Sequence, residues 1–460
     1  MATVLDHTTG PIDDVRAEPG RTLAEPPPRT LGLFDQFALW GNLGLSLLGP
    51  LGALYVLAPV GVPALSLTAA FVAVVVGTAI GAALLGLATM PGAQTGSPAM
   101  VLMRGLLGGR LSYLPTVLNL AQCLGWAIFE LVVIAAGAQA LLPWDVRWPY
   151  VLAAGLLTTL LALRPLGTVR LLRRYALVAV VLAAVYLGVQ LARHPMPRWN
   201  EGSWSGFWLA ADVVIAVAVS WVPLAADYSR HSRSARSAFG GSFLGFTLTQ
   251  VACYTLGLLA FSTIASPDGD TQGNLFSGFL AVPLGWLPFA VLVLRELDES
   301  FTNVYSTAVS VQNLRPLADR RVLAIGVGSL ATIGALVLDT GAYQSFLYLL
   351  GSVFVPMFAV FAVDYFLLGG RSRWNTAVDA PSRFVMLLPW ALGFAAYQLV
   401  NPGSVSWWAS FWGDVASAIS FTPATWMSAS IVSFLVAAVC TLLLGLLLGR
   451  LPRAGFSRAT

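Results

Sequence analysis

The sequence contains no lysine, and all 25 basic residues are arginine. Charge of either sign is scarce: 10% of the 460 residues, against about 25% in soluble domains. That scarcity excludes an ordinary water-soluble surface and gives the net charge of +4 no bearing on nucleic acid. Only Cys123, Cys253 and Cys440 supply thiols, each within an apolar stretch. They read as small buried hydrophobes rather than a disulfide framework. No His/Cys cluster has metal-site spacing, so no metal is expected other than a transported ion. A phosphate-cradling G-x-x-x-x-G-K-[ST] loop is missing too. Uphill work by such a chain has to draw on an ion gradient or a partner. Residues 1–30 lack the apolar core of a secretory signal. They are polar, acidic and Pro-containing, and are expected to form a disordered cytoplasmic tail; residues 451–460 are expected to form a cytoplasmic C-terminal tail.

Apolar residues are plentiful: 57% of the chain, with a mean hydropathy of +0.78. Apolar runs near 20 residues, the length that spans a hydrocarbon core of roughly 30 Å, recur along the sequence. Twelve spans are predicted, over 34–59, 63–90, 112–142, 149–163, 174–193, 207–226, 238–265, 281–312, 322–338, 343–368, 384–400 and 427–449. With both termini cytoplasmic, every arginine except Arg147, Arg193, Arg198 and Arg295 falls in a tail or loop on the inner side. This is the positive-inside pattern of an integral protein of the cytoplasmic membrane. The longest loop, "NPGSVSWWASFWGDVASAISFTPATW", is Trp-rich and arginine-free, which places it at the outer interface.

Two spans are interrupted at matched positions, five apart. Span 1, "FALWGNLGLSLLGPLGALYV", carries Gly41, Asn42, Gly44, Gly49 and Pro50; span 6, "DVVIAVAVSWVPLAADYSR", carries Ser220, Trp221 and Pro223. Inverted repeats with broken first helices are a common transporter plan, and the unwound backbone holds substrates and cations. Span 3 places Asn119, Gln122, Trp126 and Glu130 at intervals of three and four, one polar stripe on an apolar helix. Its counterpart, span 8, reads "VLVLRELDESFTN". Arg295, Glu296, Asp298 and Glu299 lie there at bilayer depth, where each charge costs roughly 2.5–3.5 kcal/mol even on a lenient scale. Arg295 and Glu299 stand at i,i+4 and are expected to pair, with Glu296 and Asp298 pointing elsewhere. Trp126 offers a face for a planar heterocycle. Glu130 accepts hydrogen bonds, and Gln122 and Asn303 both donate and accept. Stacking plus edge bonding is how proteins read single bases. Asp212, Asp227 and Asp364 read as structural or gating acids, Asp212 as a cap of its own helix; His194 and His231 read as solvated.

These stretches carry a resemblance. "GAQTGSPAMVLMRGLLGGRLSYLPTVLNLAQCLGWAIFELVVIAAGAQAL", "PLAADYSRHSRSARSAFGGSFLG", "FTNVYSTAVSVQNL" and "FVPMFAVFAVDYFLL" resemble the nucleobase:cation symporter family of cytosine and purine–cytosine permeases. The Trp126/Glu130 pair and "GPLGALYVLAPVG" are most similar to the hydroxymethylpyrimidine or cytosine branch. The resemblance implies an all-α membrane protein with a LeuT-like 5+5 inverted repeat. The core would cover 31–370, with repeats at 34–193 and 207–368, and two further helices would lie in 371–450. It implies alternating access driven by Na⁺ or H⁺, a small heterocyclic substrate, and no other cofactor. Carried over, the aromatic plate falls on Trp126 and its polar partner on Glu130. The span 6 contacts fall near Ser220 and Trp221, and the span 1 break at Gly41–Asn42. Asn42, Gln122 and Asn303 join the substrate set; Gly41, Gly44, Asp298, Glu299 and Thr302 form the coupling set. Sodium-coupled members use span 8 hydroxyls, whereas this chain has "LDESFTN"; the carboxylates there bind Na⁺ or take up a proton. Purine or hydantoin/allantoin-type substrates are the alternative within the family. A membrane enzyme acting on a lipid is the alternative outside it, disfavoured because the acids lie mid-helix rather than at a membrane surface.

Overall fold

The computed structural model describes residues 28–163, 166–196, 198–263, 276–314 and 319–449. The tail expected over 1–30 lies almost wholly, and that over 451–460 entirely, outside the described residues, as do Arg164 and Arg315. The regular structure of the described residues is helical apart from two isolated bridges, with turns and coil connecting the helices. Backbone amides have no water to bond in hydrocarbon, so apolar runs of this length close their bonds internally as helices. In chain order the helices are α1 (Leu33–Leu43), α2 (Leu48–Leu57), α3 (Leu67–Thr95), α4 (Ala99–Leu107), α5 (Tyr113–Leu141), α6 (Arg147–Leu163), α7 (Leu166–Leu191), α8 (Phe207–Val219), α9 (Val222–Ser229), α10 (Ala235–Thr263), α11 (Trp286–Leu314), α12 (Arg320–Val337), α13 (Tyr343–Ala362), α14 (Leu387–Val400), α15 (Ser406–Ala418) and α16 (Ala429–Leu447).

Among the described residues six spans are long and apolar enough to cross a membrane, and α1 with α2, bent by 67° at their junction, makes a seventh. Segments of α6, α7, α12 and α14 are apolar but shorter. α11 has the length, 29 residues, and carries the four charges. α4 and α15 were not expected as helices; α15 falls inside the Trp-rich loop, has no fully buried residue, and rests Trp408 and Trp412 against Phe394 of α14.

Two groups of helices face each other. In one, α1 and α2 lie against α10, and α3 packs along α8, α9 and α10; in the other, α5 runs along α11 and α6 along α12. α13, α14 and α16 form a third layer, through which α13 also reaches α8. The connecting segments are tied in pairs at the helix ends. Leu31 bonds His231 and Arg233, and Ser66 bonds Ser203. Gly109 bonds Ala380, and Arg147 donates to the Leu338 carbonyl.

The two expected breaks differ in kind. α1 and α2 part at Gly44–Leu47, so Gly41 and Asn42 are still helical and the break lies about one turn later than expected. Gly44 has φ −87°, a backbone any residue adopts. Its glycine is needed for space, since a Cβ there would sit 2.2 Å from Thr249 Oγ1 on α10. α8 and α9 count as one span without a comparable bend. Ser220 and Trp221 keep right-handed helical angles. The N–H groups of Trp221 and Leu224 reach the carbonyls of Ala218 and Trp221, three residues back. Pro223 lacks an N–H and crowds the carbonyl four residues earlier, so the turn tightens locally instead of opening.

Candidate functional site

The polar stripe of α5 and the charged stretch of α11 face one another across a central cavity. The cavity holds about 590 Å³ of unfilled space, counted out to its mouth. Gln122, Trp126, Glu130, Ser220, Trp221, Asn303, Glu299 and Gly44 all line it. Asn42, Gly41, Asp298 and Thr302 do not. Asn42 takes part through its main chain: its carbonyl accepts from Arg295 Nη2 at 2.9 Å. The Thr302 hydroxyl donates to the Asp298 carbonyl of its own helix at 2.7 Å. Ser46, Gln250, Tyr254 and Tyr343 line the cavity as well and were not expected. Gln250 and Tyr254 stand at i,i+4 on α10, a helix that also carries serines and threonines, so the signal is weaker than that of the α5 stripe.

Glu130, Gln122 and Gln250 are each aimed by a partner on another helix. Asn303 Nδ2 donates to Glu130 Oε1 at 2.8 Å, which leaves Glu130 Oε2 buried with no hydrogen-bond partner. Gln122 Nε2 donates both to Asn119 Oδ1 and to the Ser220 carbonyl, at 2.8 Å each. Those two acceptors fix the orientation of the amide, so Gln122 Oε1 is the atom left without a partner. Gln250 Nε2 likewise donates to the Val214 carbonyl at 2.9 Å, and its Oε1 is unpartnered. The hydroxyls of Tyr254 and Tyr343 are buried and unpartnered too. Buried polar groups are nearly always bonded. Three orphan acceptors, and two phenols that can donate or accept, around one cavity can therefore bond a polar ligand that supplies N–H donors.

Trp126 packs edge-on against Tyr343 and Phe346, at centroid distances of 6.1 and 5.3 Å, and Phe129 joins the same cluster. These rings divide the central cavity from a second, mostly apolar pocket lined by Phe346, Phe394, Trp407 and Trp408. On another side of the cavity, Trp221 meets Trp40 edge-to-face, and Trp40 meets Tyr228.

The four charges of α11 divide between two tasks. Arg295 Nη2 bonds Glu299 Oε1 at 2.7 Å, the expected i,i+4 pair, and also the Asn42 carbonyl near the C-terminal end of α1. Glu296 accepts from the Leu47 N–H and from Ser46 Oγ at the start of α2. A cation thus meets the negative end of one helix and an anion the positive end of the next, as the helix dipole favours. The expectation that Asp298 points elsewhere is corrected. Its Oδ2 lies 3.7 Å from Arg295 Nη1, because i,i+3 positions share a helix face.

Three more acids join elements away from the cavity. Asp212 does not cap its own helix. It accepts from Ser428 Oγ, Ala429 N and Ser430 N at 2.6, 2.8 and 3.1 Å, which ties α8 to the N-terminus of α16. Asp227 accepts from the Ala99 N–H that opens α4. Asp364, in a π-turn over 363–367, is held by both terminal nitrogens of Arg383 and by Trp374 Nε1.

Residues 28–380 match the family model described as permease for cytosine/purines, uracil, thiamine, allantoin. The chain is 23% identical over 319 residues to a putative purine-cytosine permease, YxlA, of Bacillus subtilis (strain 168), covering 64% of this chain and 68% of that one. Among solved structures it is similar to Mhp1, a nucleobase-cation-symport-1 family transporter in a closed conformation with bromovinylhydantoin bound. The TM-score is 0.69 at 17% identity, over 94% of this chain and 96% of that one. A Na⁺-coupled sialic acid symporter in an outward-open state gives a TM-score of 0.53 at 11% identity, over 92% and 98%.

Proposed function

Since the chain belongs to the family of permeases for cytosine/purines, uracil, thiamine and allantoin, we propose that it imports an aminopyrimidine, of the type of cytosine or hydroxymethylpyrimidine, by cation symport. The membership makes it an integral membrane transporter of a small heterocycle. The substrate class is our reading. One observation carries it: the orphan acceptors Gln122 Oε1, Glu130 Oε2 and Gln250 Oε1 around the cavity. An exocyclic amino group and a ring N–H supply donors to such a set. A hydantoin, the ligand type of the Mhp1 structure, also brings two ring N–H donors but no exocyclic amino group, so it fits such a set less fully. Trp126 supplies the stacking face beside Glu130, and Asn303 holds the carboxylate in register.

The working cycle is alternating access across a bundle that we read as twelve crossings with both termini cytoplasmic. Each group draws on both of two inverted repeats: α1–α3 with α5 and α6 come from the first, and α8–α10 with α11 and α12 from the second. The aromatic partition of Trp126, Phe129, Tyr343 and Phe346 serves as the barrier towards the outer pocket. The coupling ion on this reading is Na⁺ or H⁺.

Thermal melting of the purified protein tests the substrate. Cytosine, hydroxymethylpyrimidine, uracil, adenine, hypoxanthine, allantoin and hydantoin are added in turn, since a ligand bound only to the folded state raises the melting temperature. An aminopyrimidine is expected to give the largest rise, and Glu130→Gln to lose it. A larger rise with hydantoin or a purine, or an undiminished response in Glu130→Gln, rejects the assignment.

A further inference from the structure

We propose that the Arg295 guanidinium occupies the position at which a coupling metal cation would bridge the helix break to α11, so that this transporter works without sodium. The inference rests on the reading of the chain as a symporter with a broken first span. In such folds, carbonyls freed by the unwound segment meet oxygens of a neighbouring helix around a cation. Here the corresponding oxygens are the Asn42 carbonyl from the end of α1 and Glu299 Oε1 from α11. Both are bonded by one nitrogen, Arg295 Nη2, at 2.9 and 2.7 Å. The second terminal nitrogen lies 3.7 Å from Asp298 Oδ2, and the arginine side chain is only 4% exposed.

The residues do not fit a sodium ion in addition. An ion at these oxygens would stand against a guanidinium already within bonding distance of them. Like charges that close repel strongly where water is excluded. Of the hydroxyls on this stretch of α11, Thr302 donates to the Asp298 carbonyl and does not line the cavity. At the other end of the break, Glu296 is engaged with Leu47 and Ser46. Both helix ends are thus compensated by covalently attached charges, which stay with the protein throughout the cycle.

The test uses the full chain in detergent without substrate, so an error in the substrate assignment leaves it unaffected. Melting temperature is followed as NaCl replaces choline chloride at constant ionic strength. For the wild type the expected shift is nil; a saturable rise with Na⁺, as mass action at a sodium site requires, overturns the proposal. In Arg295→Ala the position is opened. Its melting temperature is expected to fall and to recover saturably with low concentrations of guanidinium or with Na⁺, but not with choline. A variant that recovers with neither cation makes the arginine a partner for Glu299 and nothing more, which also rejects the proposal. Should Arg295→Ala fail to fold, Arg295→Lys carries the second arm: it is expected to melt independently of Na⁺, and sodium-dependent stabilisation counts against the proposal.

Discussion

A buried side chain at this site is defined by which of its atoms is already bonded. Gln122 spends its amide nitrogen on Asn119 and on the Ser220 carbonyl, so it presents an acceptor to the cavity. Gln250 does the same through Val214. Glutamine was expected at position 122 as a group able to donate or accept, and only the neighbouring helices decide which. Replacing Gln122 with leucine removes the acceptor and strands the Ser220 carbonyl, and an unsatisfied buried group costs about 1–3 kcal/mol. Affinity for the preferred aminopyrimidine is expected to fall about tenfold, equivalent to ~1.4 kcal/mol, by equilibrium binding of a labelled ligand. Unchanged affinity means that Gln122 only braces α8. The four charges of α11 follow the same logic. Arg295 and Glu296 are adjacent in sequence and serve opposite ends of one helix break, and charge-assisted bonds of this kind contribute about 1.5–3 kcal/mol each.

Helices α1 and α10 approach each other through glycine. A Cβ on Gly245 would sit 2.4 Å from the Phe37 carbonyl oxygen and 2.9 Å from Gly41 N, both backbone atoms that cannot swing aside. Gly245→Ala is therefore expected to lower the melting temperature, with overpacking of a tight contact costing about 1–3 kcal/mol. Gly413, exposed on α15, has nothing within 4 Å of its Cβ position. Gly413→Ala is expected to be neutral or to stabilise by up to about 1 kcal/mol, the helix cost of glycine relative to alanine. Equal effects of the two substitutions would contradict the close approach. The contact with α10 runs past the break, since α2 lies against α10 too. α1 stays helical through Gly41 and Asn42 while it rides on α10, and parts only beyond Gly44, where Glu296 takes over the Leu47 amide.

Across the whole molecule, single acids fasten distant segments. Asp364 is 1% exposed, and its two oxygens are held by an Arg383 that is 21% exposed. Removing one partner of a buried pair leaves the other uncompensated, at 3–5 kcal/mol for fully buried cases. Arg383→Ala is expected to cost about 3 kcal/mol, read as a fall in melting temperature. A well-packed apolar replacement of both partners, Asp364→Leu with Arg383→Met, is expected to recover most of it. If the double variant is no more stable than the single one, the segment is held by other contacts, such as Arg383 to the Gly105 carbonyl. Asp212 plays the corresponding part for α16. A sequence scan reads that aspartate as a cap for the helix it opens, because the helix it does serve begins more than 200 residues later.

Local chemistry sufficed for much of this. In hydrocarbon a long apolar run has no alternative to a helix, so composition alone marked the spans. Helical periodicity alone set Gln122, Trp126 and Glu130 on one face, and the i,i+4 rule alone paired Arg295 with Glu299. Residues without such a local pattern stayed invisible: Tyr343 reaches the cavity from a span with no polar stripe. The tertiary structure decided everything that depends on which faces meet. It joined Asn303 to Glu130 across 173 residues and Glu296 to Leu47 across 249. It bent span 1 by 67° and left span 6 as one span without a comparable bend, although both carry breaking residues. A sequence states where a chain can break. Whether it does depends on what stands opposite to bond the freed backbone, and for α1 and α2 that is a charged pair on α11.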